Sequence, residues 1–168
     1  QAKGKHYDLA ALIADPVWAA QLRGGWFATV YLSPRDYHRV HAPVSGRLTS
    51  ITYVPGRLLP VSPRYVRSVD DLYARNERAV FRLESAEGPW AVVMVGAAGV
   101  GNLRLEVADG SESRHLRAAR QVQSLQPSVS AVARGDELGA FLLGSTVIVV
   151  APPGAPAPRV REGERVLC

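Results

Sequence analysis

Cysteine is almost absent from this chain of 168 residues. The single one, Cys168, is the last residue, so the sequence contains no internal disulfide, no CxxC redox pair and no cysteine-based zinc site. No apolar run approaches the roughly 20 residues that a transmembrane helix needs, and no secretory signal peptide is visible. Lysine is nearly as rare, because Lys3 and Lys5 are the only two. These absences exclude disulfide scaffolds and helical membrane spans.

The remaining composition is typical of a globular protein. Hydrophobic residues make up 47% and charged residues 21%, and the length suits one domain with its own core. A net charge of +5 favours anionic partners, either nucleic acid, acidic lipid headgroups or phosphorylated substrates. The basic and aromatic pattern of nucleic-acid binders is missing, so we expect no nucleic-acid partner. Because the chain starts with Gln1 instead of methionine, we expect it to be a piece of a longer or processed polypeptide.

Short runs of β-branched and aromatic residues, separated by glycine and proline, dominate the chain. They predict strands over residues 26–32, 47–54, 79–84, 90–97, 102–107 and 146–150. Helices are predicted only over residues 6–13, ended by Pro16, and over residues 70–75. The proline-rich residues 151–158 predict an extended, polyproline-like connector, followed by a short strand or tail. The pattern indicates a mainly β, α+β fold, an antiparallel sandwich or barrel with few short helices.

Two histidines, His38 and His41, lie three residues apart between Pro34 and Pro43. The prolines disfavour a long helix here, and a strand would place the two rings on opposite faces. A zinc site would need a third ligand and usually a fourth, which no spacing indicates. We therefore predict no metal and favour a structural or acid–base role for this pair.

The apolar residues 142–148 are interrupted by Gly144 and Ser145. A glycine inside a buried strand is typical of a bulge or of strained backbone. A serine after glycine is also a candidate nucleophile, although the G-x-S-x-G pattern of hydrolases and the glycine-rich phosphate loop are both missing.

A basic segment extends between Glu112 and Asp136, where the chain has no acidic residue. Its first arginines are Arg114, Arg117 and Arg120. One interpretation is a solvated loop. The other is a surface that meets phosphate or anionic lipid, where each basic residue would contribute ~1 kcal/mol.

Several blocks of sequence, taken together and in order, carry a more specific signal. They are residues 1–4, 31–46, 53–56, 74–78, 88–89, 95–97, 100–101, 135–139 and 143–148. With these blocks the chain resembles the phosphatidylserine decarboxylases, pyruvoyl-dependent enzymes of phospholipid synthesis, over nearly its whole length. The resemblance implies a single decarboxylase domain, residues 1–168, without the family's N-terminal part.

The resemblance also implies that the protein cuts its own Gly144–Ser145 bond. Ser145 Oγ would attack the Gly144 carbonyl carbon, and β-elimination followed by hydrolysis would convert Ser145 to a pyruvoyl group with loss of ammonia. The products would be residues 1–144 and residues 145–168, held together in one core. The pyruvoyl ketone would form a Schiff base with phosphatidylserine, whose decarboxylation gives phosphatidylethanolamine.

By the same resemblance, His41 would be the base in self-cleavage and His38 would act on the substrate during decarboxylation. The family's third triad member, an aspartate, belongs to a motif upstream of the region that matches Gln1 and is not part of this sequence. The resemblance further implies a homodimer, bound peripherally to the cytoplasmic side of the cell membrane. We expect Arg114, Arg117 and Arg120 to face its anionic lipids.

Two alternatives remain open at this point. An inactive relative would keep the fold without the activity. A non-catalytic β-hammerhead binding or carrier module would also explain residues 41–46 and 135–139, because such modules use proline and glycine at the same corners. A biotinyl or lipoyl carrier needs a lysine at a hairpin tip, which Lys3 and Lys5 do not provide.

Overall fold

A computed structural model describes residues 8–99, 102–142, 146–161 and 163–165. The helices in these ranges are α1 (Leu9–Ile13), α2 (Pro16–Gln21), α3 (Pro63–Ser68), α4 (Leu72–Arg75) and α5 (Ser113–Leu116). The strands are β1 (Phe27–Tyr31), β2 (Arg39–His41), β3 (Gly46–Val54), β4 (Arg78–Ser85), β5 (Gly88–Val95), β6 (Leu103–Leu105), β7 (Ser111–Glu112), β8 (Gln123–Leu125), β9 (Ala131–Val132), β10 (Glu137–Phe141) and β11 (Thr146–Val150). No helix among the described residues has the length and apolar character needed to span a membrane.

Two antiparallel sheets account for most of the structure. The larger sheet has the order β1-β11-β5-β4-β3-β8, and β9 also pairs with β3. The smaller sheet has the order β2-β10-β6-β7. The strands over residues 47–54, 79–84 and 146–150 confirm the predicted ones almost residue for residue, and the mainly β, α+β fold class is confirmed.

The main core fills the space between the two sheets. Phe81 and Met94 of the larger sheet pack in one cluster with Leu103, Leu138 and Phe141 of the smaller sheet. All five side chains are at most 3% exposed. This apolar face is what sets the register of each strand, because a one-residue slip would turn it towards water.

Helices α1 to α4 cover the other face of the larger sheet. Leu12 of α1, Leu22 directly after α2 and Leu72 of α4 pack against Val93 and Ile148 in a second cluster of buried residues. The domain therefore has three layers, with the larger sheet in the middle. Strands β5 and β11 are consequently buried on both faces, which explains their continuous apolar sequences.

One correction concerns Pro16, which begins a helix and does not simply end one. Asp15 caps α2, and its side chain accepts hydrogen bonds from the backbone N–H groups of Val17 and Trp18 at 2.8 and 3.0 Å. Proline suits the first helical position, because its missing N–H has no partner there in any case. The predicted first helix is described from Leu9 onward, and residues 1–7 lie outside the described ranges.

A second correction concerns residues 151–158, where residues 151–155 turn back against the core and are not an extended connector, while residues 156–158 are exposed. Ala151 and Ala155 are buried, and Trp26 Nε1 donates to the Ala155 carbonyl at 3.1 Å. Gly154, at φ +84°, follows Pro153 in a tight turn closed by a hydrogen bond from Ala155 N to Pro152 O. No strand follows in residues 159–161 and 163–165.

Candidate active site at the junction of the two sheets

The chain passes from the smaller sheet to the larger one between β10 and β11. On one side, Leu142 N donates to the Asn102 carbonyl at 3.1 Å. On the other side, Thr146 is fully buried and pairs with both Tyr31 and Val95. Gly144 and Ser145 lie outside the described residues, so the structure fixes the two ends of this junction and says nothing of its middle.

His41 is the last residue of β2, the strand that pairs with β10, and His38 directly precedes that strand. His41 is opposite Glu137 at the start of β10, and the His38 carbonyl accepts from Phe141 N at 2.9 Å at its end. His38 is therefore beside the end of β10 that leads into the junction. His41 lies about 10 Å further along the strand, given the usual rise per residue.

The hydrogen bonds of His41 define which nitrogen can act as a base. Its Nδ1 is 2.7 Å from the carbonyl oxygen of Gly135, which only accepts, so Nδ1 carries the hydrogen. In the neutral ring Nε2 is then the acceptor, and it receives the Tyr37 hydroxyl at 2.8 Å. The two rings also stack, with centroids 5.6 Å apart. His41 is thus oriented with Nε2 as its basic nitrogen.

His38 has the same tautomer for the same reason. Its Nδ1 donates to the backbone carbonyl of Asp36. Its Nε2 is buried and has no hydrogen-bond partner among the described residues. Because an unsatisfied buried acceptor costs free energy, such an atom in a folded protein is a candidate for binding a ligand or a reacting group.

A short turn before His38 holds its carbonyl partner in place. The Asp36 side chain accepts from Ser33 N at 2.7 Å, and Asp36 N donates to Ser33 O at 2.9 Å. Hydrogen bonds from Ser33 also lower the pKa of Asp36, so its carboxylate stays ionised and the turn stays closed at neutral pH.

A second turn, between β9 and β10, presents the carbonyl that orients His41. Gly135 has φ +97°, which residues with a side chain rarely adopt. Asp136 closes the turn, because its side chain accepts from Ala133 N at 2.8 Å. Gly135 N donates to Ala42 O at 2.9 Å, and Ala42 N donates to Asp136 O at 2.8 Å. The position of His41 therefore depends on a glycine 94 residues away in the sequence.

A buried polar network lies at the same end of the larger sheet as Thr146. Glu77 is fully buried and accepts from Arg117 Nε and Nη2 at 2.5 and 2.9 Å, and from the Tyr53 hydroxyl at 3.0 Å. The hydrogen bonds to Glu77 raise the pKa of Arg117, while burial and the Glu77 charge raise that of Tyr53. We did not predict this network from the sequence, although three consecutive polar residues that lead into the apolar strand β4, Asn76, Glu77 and Arg78, could have indicated it.

Arg78, the next residue, fastens two helices to the sheet. Its guanidinium donates to the carbonyls of Ala11 and Leu12 in α1, each at 2.7 Å, and to Ala74 in α4 at 2.7 Å. Burial lowers the pKa of Arg78 to about 10, so it stays charged at neutral pH. A cation here satisfies carbonyls that the ends of short helices would otherwise leave without partners.

The three arginines predicted to face lipid have different environments. Arg117 is engaged by Glu77, as described above. Arg114 forms an ion pair with Glu112 at 2.8 Å and stays largely exposed. Arg120 is exposed and forms no ion pair among the described residues. The described residues contain no group of three or more histidine, cysteine or acidic side chains that could hold a metal ion.

Comparison with known proteins gives a consistent result. The family described as Phosphatidylserine decarboxylase matches residues 1–168. A "Phosphatidylserine decarboxylase proenzyme" of Polaromonas naphthalenivorans is 47% identical over 92% of this chain and 54% of its own length. The proteins of the same name from Anaeromyxobacter sp. and Chromobacterium violaceum are 45% and 46% identical, over 98% and 92% of this chain.

This chain spans between about half and three fifths of the length of these relatives, 54% to 61%. The match nevertheless extends over the whole of the chain, from the helical layer through both sheets. This chain belongs to the phosphatidylserine decarboxylase family.

Proposed function

We propose that this chain is the catalytic part of a phosphatidylserine decarboxylase that matures by cutting its own Gly144–Ser145 bond. Its relatives carry the name proenzyme, which denotes a precursor that is processed. The observation that carries the proposal is the junction: in the sequence a Gly-Ser pair stands between β10 and β11, two strands of different sheets, and the His38 carbonyl is bonded to Phe141 at the end of β10. Phosphatidylserine is the proposed substrate and phosphatidylethanolamine the proposed product.

The described residues around the junction suit a small carbonyl-bearing group derived from Ser145. Two buried polar atoms flank the junction without a partner among the described residues, His38 Nε2 and Thr146 Oγ1. The Thr146 hydroxyl can donate to a carbonyl oxygen, whereas Nε2 of the neutral His38 ring can only accept, from a donor such as a hydroxyl or an amine of the substrate. A pyruvoyl group supplies an electron sink for the loss of CO2 from an amino acid headgroup.

The two histidines divide the proton transfers in this proposal. His41 would take the hydroxyl proton of Ser145 during self-cleavage, and His38 would hold a proton at Nε2 during decarboxylation. Imidazole suits both tasks because it exchanges protons readily near neutral pH. In support, both rings have Nδ1 bonded to a backbone carbonyl, which leaves Nε2 as the acceptor in each; Nε2 of His41 receives the Tyr37 hydroxyl and would have to release it to act as a base.

The two proposed fragments would stay together because β11 lies inside the larger sheet. All five residues of β11 pair with β1 on one side and with β5 on the other. Val147, Ile148 and Val150 are also buried, each at most 7% exposed. The fragment 145–168 would therefore dissociate only if the larger sheet unfolded.

The same proposal places the protein peripherally at the cytoplasmic face of the cell membrane. The net charge of +5 suits a leaflet rich in anionic lipid. Of the three arginines considered, Arg114 and Arg120 are the exposed candidates for lipid contact, since Arg117 is bonded to a buried carboxylate. If Arg114 and Arg120 contact anionic lipid, added salt should weaken membrane binding because it screens their charges.

The proposal is tested by intact mass spectrometry of the natural polypeptide that contains this chain. We expect two fragments, the smaller one starting with a blocked residue in place of Ser145. Ser145→Ala should give one uncut chain, while Ser124→Ala, an exposed serine on β8, should be cut like the wild type. His38→Ala should be cut and yet decarboxylate phosphatidylserine more slowly. An uncut wild-type chain that retains Ser145 would instead indicate an inactive relative.

A further inference from the structure

Tyr37 occupies the one nitrogen through which His41 could accept a proton. The Tyr37 hydroxyl donates to His41 Nε2 at 2.8 Å, while His41 Nδ1 donates to the Gly135 carbonyl at 2.7 Å. The Tyr37 and His41 rings also stack, with an angle of 13° between their planes. Nε2 of a neutral imidazole has a single lone pair, which either accepts this hydrogen bond or takes a proton from a reacting group. His41 cannot do both at once.

The fold holds Tyr37 in this place, because the residues on either side of it are anchored. Before it, the Asp36 carboxylate accepts from Ser33 N at 2.7 Å. After it, the His38 carbonyl accepts from the backbone of β10 at 2.9 Å. The contact between Tyr37 and His41 is therefore set by the turn and the sheet that flank it.

Glu137, which is opposite His41 in the pairing of β2 with β10, has a different partner. Its carboxylate is 2.9 Å from Arg39 Nη1. Tyr37 is 46% exposed and His41 is exposed too, so the phenol can turn towards solvent without opening a hole in the core. The hydrogen bond can therefore break while the rest of the fold stays intact.

We propose that Tyr37 is a positioning residue that keeps His41 in a capped state, in which the stack holds the ring and the phenol closes Nε2. The consequence for self-cleavage rests on the proposed function. The phenol must leave before Nε2 can take the hydroxyl proton of Ser145, so only the fraction of molecules with a free Nε2 can react. One hydrogen bond of ordinary net strength reduces such a fraction by about two- to tenfold. Tyr37 thus orients the imidazole and slows maturation.

Modification by diethyl pyrocarbonate tests the cap independently of cleavage, because this reagent acylates an imidazole nitrogen through its free lone pair. The natural polypeptide carrying Ser145→Ala is treated at constant pH, and peptide mass spectrometry gives the rate at each histidine. We expect Tyr37→Phe, which keeps the stack, to raise the rate at His41 by about two- to tenfold. His115, which is exposed on α5, should react equally in every variant. An unchanged rate at His41 would overturn the proposal.

Tyr65→Phe is the matched control for the loss of a phenol hydroxyl. Tyr65 is 44% exposed, close to the value for Tyr37, and belongs to α3. We expect this variant to modify at His41 like the wild type. A rate at His41 raised as much by Tyr65→Phe as by Tyr37→Phe would also overturn the proposal, since the effect would not come from the stacked pair.

The time course of self-cleavage after cell-free synthesis, followed by intact mass in polypeptides that keep Ser145, gives the second readout. We expect Tyr37→Phe to be cut about two- to tenfold faster than the wild type. Tyr37→Leu should be cut more slowly than Tyr37→Phe, because it removes the stack that orients His41 as well as the hydroxyl.

The two readouts separate this proposal from the proposed function. Faster modification of His41 in Tyr37→Phe, with no polypeptide cut at all, would support the cap and contradict the proposed function. Cutting of Tyr37→Phe at the wild-type rate would overturn the control of maturation by Tyr37 and leave the proposed function intact. Slower cutting of Tyr37→Phe would overturn it too, because the phenol would then pass the serine proton on to His41.

Discussion

Replacing Arg117 by glutamine distinguishes a structural role for this residue from a role in lipid binding. The Arg117 side chain is 39% exposed, yet its guanidinium forms two hydrogen bonds with Glu77, which is fully buried. Without Arg117, the Glu77 carboxylate keeps the Tyr53 hydroxyl as its one other side-chain donor in the described part of the chain. The substitution therefore leaves a buried negative charge largely uncompensated.

The expected loss of stability is large for a partly exposed residue. Breaking a buried ion pair by removing one partner typically costs 3–5 kcal/mol. Because water reaches part of Arg117, we expect a value near the lower end, about 3 kcal/mol. With an unfolding slope of about 2 kcal/mol per molar urea, the midpoint should fall by about 1.5 M.

Urea unfolding of the wild type, Arg117→Gln and Arg114→Gln measures this effect. Arg114 has an exposed ion pair with Glu112, so its substitution should shift the midpoint far less. The double variant Glu77→Gln with Arg117→Gln should recover part of the stability, because it removes the buried charge as well. Equal midpoints for the two single variants would refute the argument. If Arg117→Gln stayed as stable as the wild type and no longer bound anionic vesicles, Arg117 would instead be a lipid contact.

Three further predictions concern single residues. Because the pKa of Tyr53 is raised in the folded state, the unfolded chain ionises first, and the stability of the wild type should fall above about pH 10. Urea midpoints at about pH 8 and about pH 11 should show a larger fall for the wild type than for Tyr53→Phe. An equal fall of the midpoint in both proteins would contradict this. Gly135→Ala should lower the stability measured by thermal unfolding by about 1–2 kcal/mol, because Gly135 has φ +97°. The same substitution should change the NMR shifts of the His41 ring nitrogens, since the Gly135 carbonyl accepts from that ring. Unchanged shifts would mean that the Gly135 carbonyl does not orient the ring. Arg78→Lys should lower the free energy of thermal unfolding by about 2 kcal/mol or more, because an ammonium cannot reach all the carbonyls to which the guanidinium donates. A loss of stability under about 0.5 kcal/mol would contradict this.

The sequence predicted most strands of the larger sheet, because their side chains carry a local signal. Continuous β-branched runs such as β11 can be recognised without knowledge of their neighbours. It missed β10, which contains Gly139 and follows Gly135, since both glycines were taken as turn residues. Gly139 in fact lies within the strand, where a Cβ would be 2.4 Å from the Arg104 carbonyl oxygen. Only the approach of β6 explains that glycine.

In the candidate site, too, the sequence indicated some features and only the tertiary structure showed the others. The sequence identified His38, His41, Gly144 and Ser145 through their residue types and a family resemblance. Membership of the family is confirmed, whereas the roles of these residues, the cleavage, the homodimer and the membrane location stay predictions. The sequence could not indicate that each imidazole gives its Nδ1 hydrogen to a backbone carbonyl, because the carbonyl for His41 comes from a distant turn.

By itself, the sequence determined the mainly β class, the family and the identity of the residues that could react. The tertiary structure alone decided that Nε2 is the basic nitrogen of His41, that Arg117 is bonded to Glu77 and that residues 151–155 turn back against the core. The physical reason is the range of the interactions. Strand propensity and turn chemistry act over a few residues, whereas hydrogen bonds between elements and the burial of charge depend on contacts across 40 to 129 residues of chain.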